Sequence, residues 1–150
     1  MPPADQSPVL ASADVVNLLL SFRPISALKI DNTYLFDRLR DRNSGAAIFN
    51  NHIVRSKWNW QFNRQLSLRL ILQYTATLAN PALTSLSTTK QFNSDFLITY
   101  LLHPGTAIYV GYTDGYDSVQ LGPSGIVPIR NPTTSTGRQF FVKTSYLFRF

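Results

Sequence analysis

Few residues in this chain could do chemistry, and their types narrow the choice. There are 2 histidines, His52 and His103, and no cysteine. All 8 acids are aspartates. Without cysteine there is no thiolate nucleophile, no disulfide and no Cys-ligated metal. No Gly-rich phosphate loop occurs, and no carboxylate pair suggests acid–base work. The one suggestive set is Asn32, Asn50, His52, Ser56 and Ser94, which share even numbers on an otherwise apolar face. A lipid-facing hydrolase would need an outward His with Ser and Asn. However, no Ser follows two residues after His52, and the set reads equally as an interfacial polar patch. Pairing across a hairpin is expected to put Asn32 beside Asn50 and His52. His103 stands in a Pro-Gly turn and is expected only to shape it. No catalytic, cofactor or metal ligand residue is assigned, and no enzymatic activity is expected.

The second chemical set is basic. Lys29, Arg55, Lys57, Arg69, Lys143 and Arg149, with Arg23, all carry odd numbers and face only Asp31, Asp37 and Asp95. A wall built from them would favour anionic solutes, unless acids elsewhere neutralise it. A further run, Arg38-Leu39-Arg40-Asp41-Arg42, combines several guanidinium groups, whose geometry suits phosphate. It reads either as a lipopolysaccharide contact or as a solvated loop. The net charge of +6 raises nucleic-acid binding. The cations, though, are scattered over alternate positions without a basic helix, so nucleic acid is not expected as a partner.

Alternation is what must position these side chains. In Leu66–Leu78, the residues Leu66, Leu68, Leu70, Leu72, Tyr74, Ala76 and Leu78 make one face. Ser67, Arg69, Gln73, Thr75 and Thr77 make the other, with Ile71 the exception. Period two predicts a strand, where a helix would place apolar residues at i, i+3 and i+4. The same pattern predicts strands over 26–38, 54–62, 91–102 and 139–150, and shorter ones near 14–22 and 106–113. Tight turns are expected at Arg23-Pro24-Ile25, Asn63-Arg64-Gln65 and His103-Pro104-Gly105. Longer connections are expected over 39–46, 79–88 and 114–136. Three prolines among the first eight residues mark 1–12 as a linker or tail, with the β-region over 13–150. Because Val15–Leu20 has no basic segment before it, it does not read as a secretory signal. No apolar run is long enough for a membrane helix.

An antiparallel meander of this kind is either a soluble barrel or sandwich holding a small apolar ligand, or a transmembrane barrel with its apolar face outward. Three features favour the membrane. The strands are long enough for a tilted crossing. Short turns at one end and long loops at the other match outer-membrane barrels. Aromatic residues also sort to the two ends of the apolar faces. Phe22, Trp60, Phe62, Tyr100, Phe148 and Phe150 fall at the short-turn end, and Tyr34, Phe36, Tyr74, Phe92, Tyr112 and Phe140 at the long-loop end. The expected fold is an all-β, up-and-down transmembrane β-barrel segment of about seven strands, part of a larger barrel because bacterial barrels carry even numbers.

The last residues, Lys143-Thr144-Ser145-Tyr146-Leu147-Phe148-Arg149-Phe150, resemble the signal that ends bacterial outer-membrane barrels. Its expected determinants are Lys143, Ser145, Phe148 and Phe150, with Ser145 where Gly is usual. The barrel-assembly machinery would read this edge by β-augmentation. Ser44–Phe62, Leu66–Leu86, His103–Tyr112 and Gly137–Phe150 also resemble the C-terminal barrel of a bacterial outer-membrane family. In that family a family-9-like carbohydrate-binding domain precedes a barrel of unknown function. The resemblance covers most of residues 20–150 and supplies no catalytic residues. It implies an outer-membrane location, lipid and lipopolysaccharide as surroundings, and an N-terminal part of the same protein as partner. Any sugar binding implied by the family would belong to that N-terminal part; the expected role of the barrel itself is a structural, pore-forming segment whose basic lumen passes or binds anionic or sugar-like solutes.

Overall fold

The structure, a computed structural model, describes residues 10–123 and 125–147. Its strands are β1 (Ala11–Ile25), β2 (Leu28–Asp41), β3 (Ala47–Gln61), β4 (Leu66–Ala79), β5 (Thr89–His103), β6 (Thr106–Asp117), β7 (Val119–Gly122), β8 (Gly125–Pro128) and β9 (Thr134–Tyr146). Seven of them form one antiparallel sheet in the order β1-β2-β3-β4-β5-β6-β9, and β7 pairs with β8 as a small separate hairpin. The all-β, up-and-down order matches the sequence expectation. Closure does not follow from it. β1 bonds only to β2, and β9 only to β6, so the sheet of the described residues keeps two open edges. Six antiparallel steps also leave β1 and β9 running in the same direction. An all-antiparallel ring would therefore need an odd number of further strands.

Register explains why parity is informative. Within each main ladder, even-numbered residues lie opposite even-numbered residues: Phe22 faces Ile30, Ile30 faces Trp58, Trp58 faces Leu70, Leu70 faces Phe96, Phe96 faces Tyr112 and Tyr112 faces Phe140. Directly opposed side chains share a face, so the even residues of all seven strands form one surface and the odd ones the other. A one-residue slip at any loop would have exchanged the faces. The seven strands run 12 to 15 residues, well beyond the ordinary soluble strand of about 5–6.

Three local expectations are corrected. The first turn is Ser26-Ala27, not Arg23-Pro24-Ile25; those three residues stay in β1, and the pairing slips between Phe22 and Ile25. Pro24 has no N–H to give a ladder, and a bulge on an edge strand is where a proline fits. The connection expected over 114–136 is shorter, because β6 runs on to Asp117, β9 starts at Thr134, and β7 and β8 lie between them. The tail expected over 1–12 gives way at Ala11, where β1 begins; residues 1–9 lie outside the described residues.

Polar side chains shape the connections. Asn63 Oδ1 accepts from the N–H groups of Gln65 and Leu66, both at 2.8 Å, and so turns β3 into β4. Pro104 followed by Gly105 at φ +96° makes the turn between β5 and β6, where a side chain at Gly105 would be strained. At the other end, Asp41 accepts from the N–H of Asn43, the N–H of Ser44 and the Ser44 hydroxyl, at 3.3, 3.1 and 2.6 Å. Ser118, 1% exposed, ties the β6–β7 junction to β5. It donates its N–H to Lys90 O at 2.9 Å, and its Oγ accepts from Lys90 N at 2.7 Å.

Candidate functional site

Two faces, rather than one cleft, carry the functional side chains. The odd face gathers Lys29 on β2, Arg55 and Lys57 on β3, Arg69 on β4 and Lys143 on β9. Arg149 lies outside the described residues. Lys29 Nζ is 2.8 Å from Asp31 Oδ1, which also accepts from Ser21 Oγ at 2.5 Å. Lys57 stands directly opposite Asp31. Arg55, Arg69 and Lys143 have no ion-pair partner among the described residues. An open hollow of about 240 Å³ adjoins Arg69 and is bordered by Asn59, Gln61, Ser67 and Thr99, with Trp60, Leu68 and Leu97. Amide and hydroxyl donors beside one guanidinium can hold a polar or anionic solute.

This face is not uniformly polar. Leu35 opposes Ile53, and Ile71 lies between Lys57 and Asp95. Phe141 lays its ring over Gly111: a Cβ at that glycine would meet Phe141 Cε1 and Cζ at 2.2 Å.

The even face is the apolar one. Leu18, Leu20, Val54, Trp58, Trp60, Phe140 and Val142 are all exposed on it, Leu20 by 62% and Phe140 by 66%. The aromatic belts are only partly gathered. Near the short turns, Trp60 and Phe62 stack with ring centroids 4.8 Å apart, and Tyr100 opposes Leu66 nearby. Phe22 pairs with Ile30 close to the Ser26-Ala27 turn. Phe148 and Phe150 lie outside the described residues. Toward the long loops, Tyr34, Tyr74 and Phe92 fall in one bonded row with Val54 and Tyr116, and Phe36 lies one step beyond. Tyr112 and Phe140 do not join that row. They oppose each other halfway along β6 and β9, because β6 continues past the point where a loop was expected.

The polar set on the even face is rearranged too. Asn32 faces Ser56, not Asn50 or His52. Ser56 Oγ donates to Asn32 Oδ1 at 2.6 Å and accepts from Trp58 Nε1 at 2.9 Å. His52 faces Phe36, with ring centroids 4.8 Å apart, and its Nδ1 shares a 2.9 Å hydrogen bond with Tyr34 Oη. His52 and Ser56 are four residue steps apart on β3, about 13 Å of strand, so the hydroxyl and imidazole do not meet. Ser94 faces Leu72 and Asp114.

A cluster missing from the sequence reading surrounds Asp114, which is 6% exposed. Its Oδ2 accepts from Tyr116 Oη at 2.8 Å and Tyr112 Oη at 3.0 Å, and lies 3.4 Å from Arg138 Nε. The spacing of Tyr112, Asp114 and Tyr116 at every second residue was the available signal, hidden by reading Asp-Gly-Tyr-Asp as a loop. Of the assembly-signal residues, Lys143 and Ser145 sit on β9, the strand that ends the sheet, and Phe148 and Phe150 lie outside the described residues. Comparison with family models, with curated proteins and with solved structures finds no match to this chain.

Proposed function

We propose that this chain is a segment of a transmembrane β-barrel in an outer membrane, structural and pore-forming rather than catalytic. Its even face would meet lipid, and its odd face would line a basic, water-filled passage. The observation that carries this reading is the register. It joins the apolar side chains of seven long strands into one exposed face, too large for a soluble monomer to leave uncovered. The open edges and the shared direction of β1 and β9 fit a ring completed by further strands. Through the family resemblance, the rest of that ring and a carbohydrate-binding domain would belong to the same protein. The hollow beside Arg69 would be a contact point for anionic or sugar-like solutes. Insertion would rely on the barrel-assembly machinery reading the end of β9.

A second reading has an observation in its favour. Asp114 is a buried carboxylate on the even face, and this suits a soluble β-barrel or sandwich whose even face points inward around a small ligand. One experiment separates the two readings. The chain is refolded with and without detergent or lipid vesicles, and its fold and dispersity are measured. The membrane reading expects strand structure and heat-modifiable gel migration only with lipid or detergent. A folded, soluble monomer in lipid-free buffer would overturn it. Planar-bilayer recording then tests the pore, and an absence of conductance would leave a scaffold.

A further inference from the structure

At the long-loop end of the even face, β1, β2 and β3 bring together a basic cluster whose hydrogen bonding is incomplete. Arg38 and Arg40 stand two residues apart on β2 and so project from the same face. Asp14 on β1 lies opposite Arg38 and forms an ion pair with Arg40. Asn50 on β3 lies opposite Arg38 from the other side. Among the described residues, four side-chain polar atoms are shielded from solvent without a hydrogen-bond partner, and three of them are here: Arg38 Nε, Arg40 Nε and Asn50 Oδ1. Native proteins leave few such atoms, so a concentration of them asks for a ligand. An open hollow of about 260 Å³ adjoins Arg40, which lines it with Ser12, Asp41, Arg42 and Gly45; Arg38 and Asn50 lie one pleat farther from the loop. Arg38, Arg40 and Arg42 outnumber the two nearby carboxylates, of which Asp14 is paired with Arg40 and Asp41 is turned onto Asn43 and Ser44.

We propose that Arg38, Arg40 and Asn50, with Arg42 at the rim, bind the phosphate group of an anionic membrane lipid. A guanidinium Nε–H that turns out of its shielded position on binding is a donor that phosphate oxygens accept well, and a fork of such donors suits a tetrahedral anion. The Asn50 amide can turn its Nδ2 donor into the same space. The choice of a lipid over free phosphate comes from position. Phe36, Val16 and Leu18 continue the same face immediately toward the middle of the sheet. A phosphate held by the arginines would therefore have its acyl chains lying along apolar side chains. The inference rests on the membrane reading and gives it a located headgroup contact.

The test uses the full chain refolded into phosphatidylcholine bicelles. Three probes are titrated: diphosphoryl lipid A, the same lipid dephosphorylated, and inorganic phosphate. Binding is followed by native mass spectrometry. The phosphorylated lipid should bind, the dephosphorylated one should bind much less, and inorganic phosphate should not compete at matched concentration. Arg38→Gln, which spares the Arg40–Asp14 pair, should weaken binding about tenfold, as the loss of one charge-assisted hydrogen bond predicts. Asn50→Ala should weaken it as well, and Arg64→Gln, in the β3–β4 turn at the other end of the sheet, should not. Equal binding of both lipids, competition by free phosphate, or undiminished binding by Arg38→Gln would overturn the site. A chain that folds in bicelles yet fails these tests loses only this proposal, whereas a chain that folds without lipid loses the membrane reading and this proposal together.

Discussion

Ser56 Oγ donates to Asn32 Oδ1 at 2.6 Å across the β2–β3 ladder, on the face that otherwise carries Leu, Val and aromatic side chains. The bond would matter most on the proposed membrane reading, in which lipid covers that face and neither residue reaches bulk water. Trp58 Nε1 completes the group by donating to the same Oγ at 2.9 Å. A polar pair that satisfies itself costs little in an apolar setting, whereas half of one is expensive. Ser56→Ala should therefore destabilise the folded chain by about 1–2 kcal/mol, because it strands both Asn32 and Trp58. Asn32→Leu combined with Ser56→Ala should recover the part of the loss due to Asn32, leaving only the Trp58 indole unpaired. The urea midpoint in detergent micelles measures both, and Trp58 emission reports the lost indole contact.

Leu70 and Ile71 are adjacent residues of β4 that face opposite ways, and they give the cleanest comparison of the two surfaces. Leu70 lies between Trp58 and Phe96 in the apolar row, and Ile71 between Lys57 and Asp95. On the proposed membrane reading, Leu70→Arg would put a charge in mid-bilayer and should cost about 2–4 kcal/mol. Ile71→Arg should fold with a small change, since Asp95 stands opposite to receive the guanidinium. Unfolding midpoints in vesicles decide the matter, and equal penalties would count against a wet odd face.

The parity of the strands was legible because alternation needs only side-chain polarity, and most connections preserve it. Register was not. The misplacement of Asn32 shows why: a hairpin register depends on the centre of its loop, and each residue of error there moves the pairing by two. The centre between β2 and β3 is set by Asp41 folding its carboxylate over Asn43 and Ser44, and the pairing then slips again between Leu39 and Arg40. Neither feature has a hydrophobic signature. The Asp114 cluster escaped for a related reason. Asp and Gly are poor strand formers, so Asp114-Gly115-Tyr116-Asp117 reads as a loop until cross-strand pairing with β5 and β9 overrides it. Parity alone puts Arg55, Arg69 and Lys143, which have no ion-pair partner among the described residues, on the odd face. The hollow beside Arg69 depends on three strands meeting, which no single segment encodes.

Asp41 links loop order to pH. The Ser44 hydroxyl, then the N–H groups of Asn43 and Ser44, hold its carboxylate below the ordinary aspartate range. A lowered folded value means the loop is supported above the unfolded aspartate value of about 3.9, and the support is lost as pH falls through the lower, folded value. Amide exchange at Asn43 and Ser44, corrected for intrinsic rates, should show protection that falls away in that acid window. Asp41→Asn keeps an acceptor without a titrating group, so its loop protection should be flat across the same range.

Gly111 and Phe141 test whether odd-face packing contributes to the sheet or merely decorates it. They oppose each other across the β6–β9 ladder, and the ring occupies the space a Cβ at Gly111 would need, with ring carbons 2.2 Å from it. Backbone freedom is not the reason for this glycine, since its φ is not positive. What it supplies is room for a large ring beside the chain, which covers a strand position otherwise weakened by having no side chain. Gly111→Ala must push the ring aside and should destabilise the chain by about 1–3 kcal/mol, the range for overpacking. Alanine is otherwise the better strand residue, so removing the obstruction should reverse the sign of the effect. In a Phe141→Leu background, Gly111→Ala should be neutral or stabilising. A double-mutant cycle on urea midpoints reads the coupling directly. Equal losses in both backgrounds would show that Gly111 is needed for something other than the ring.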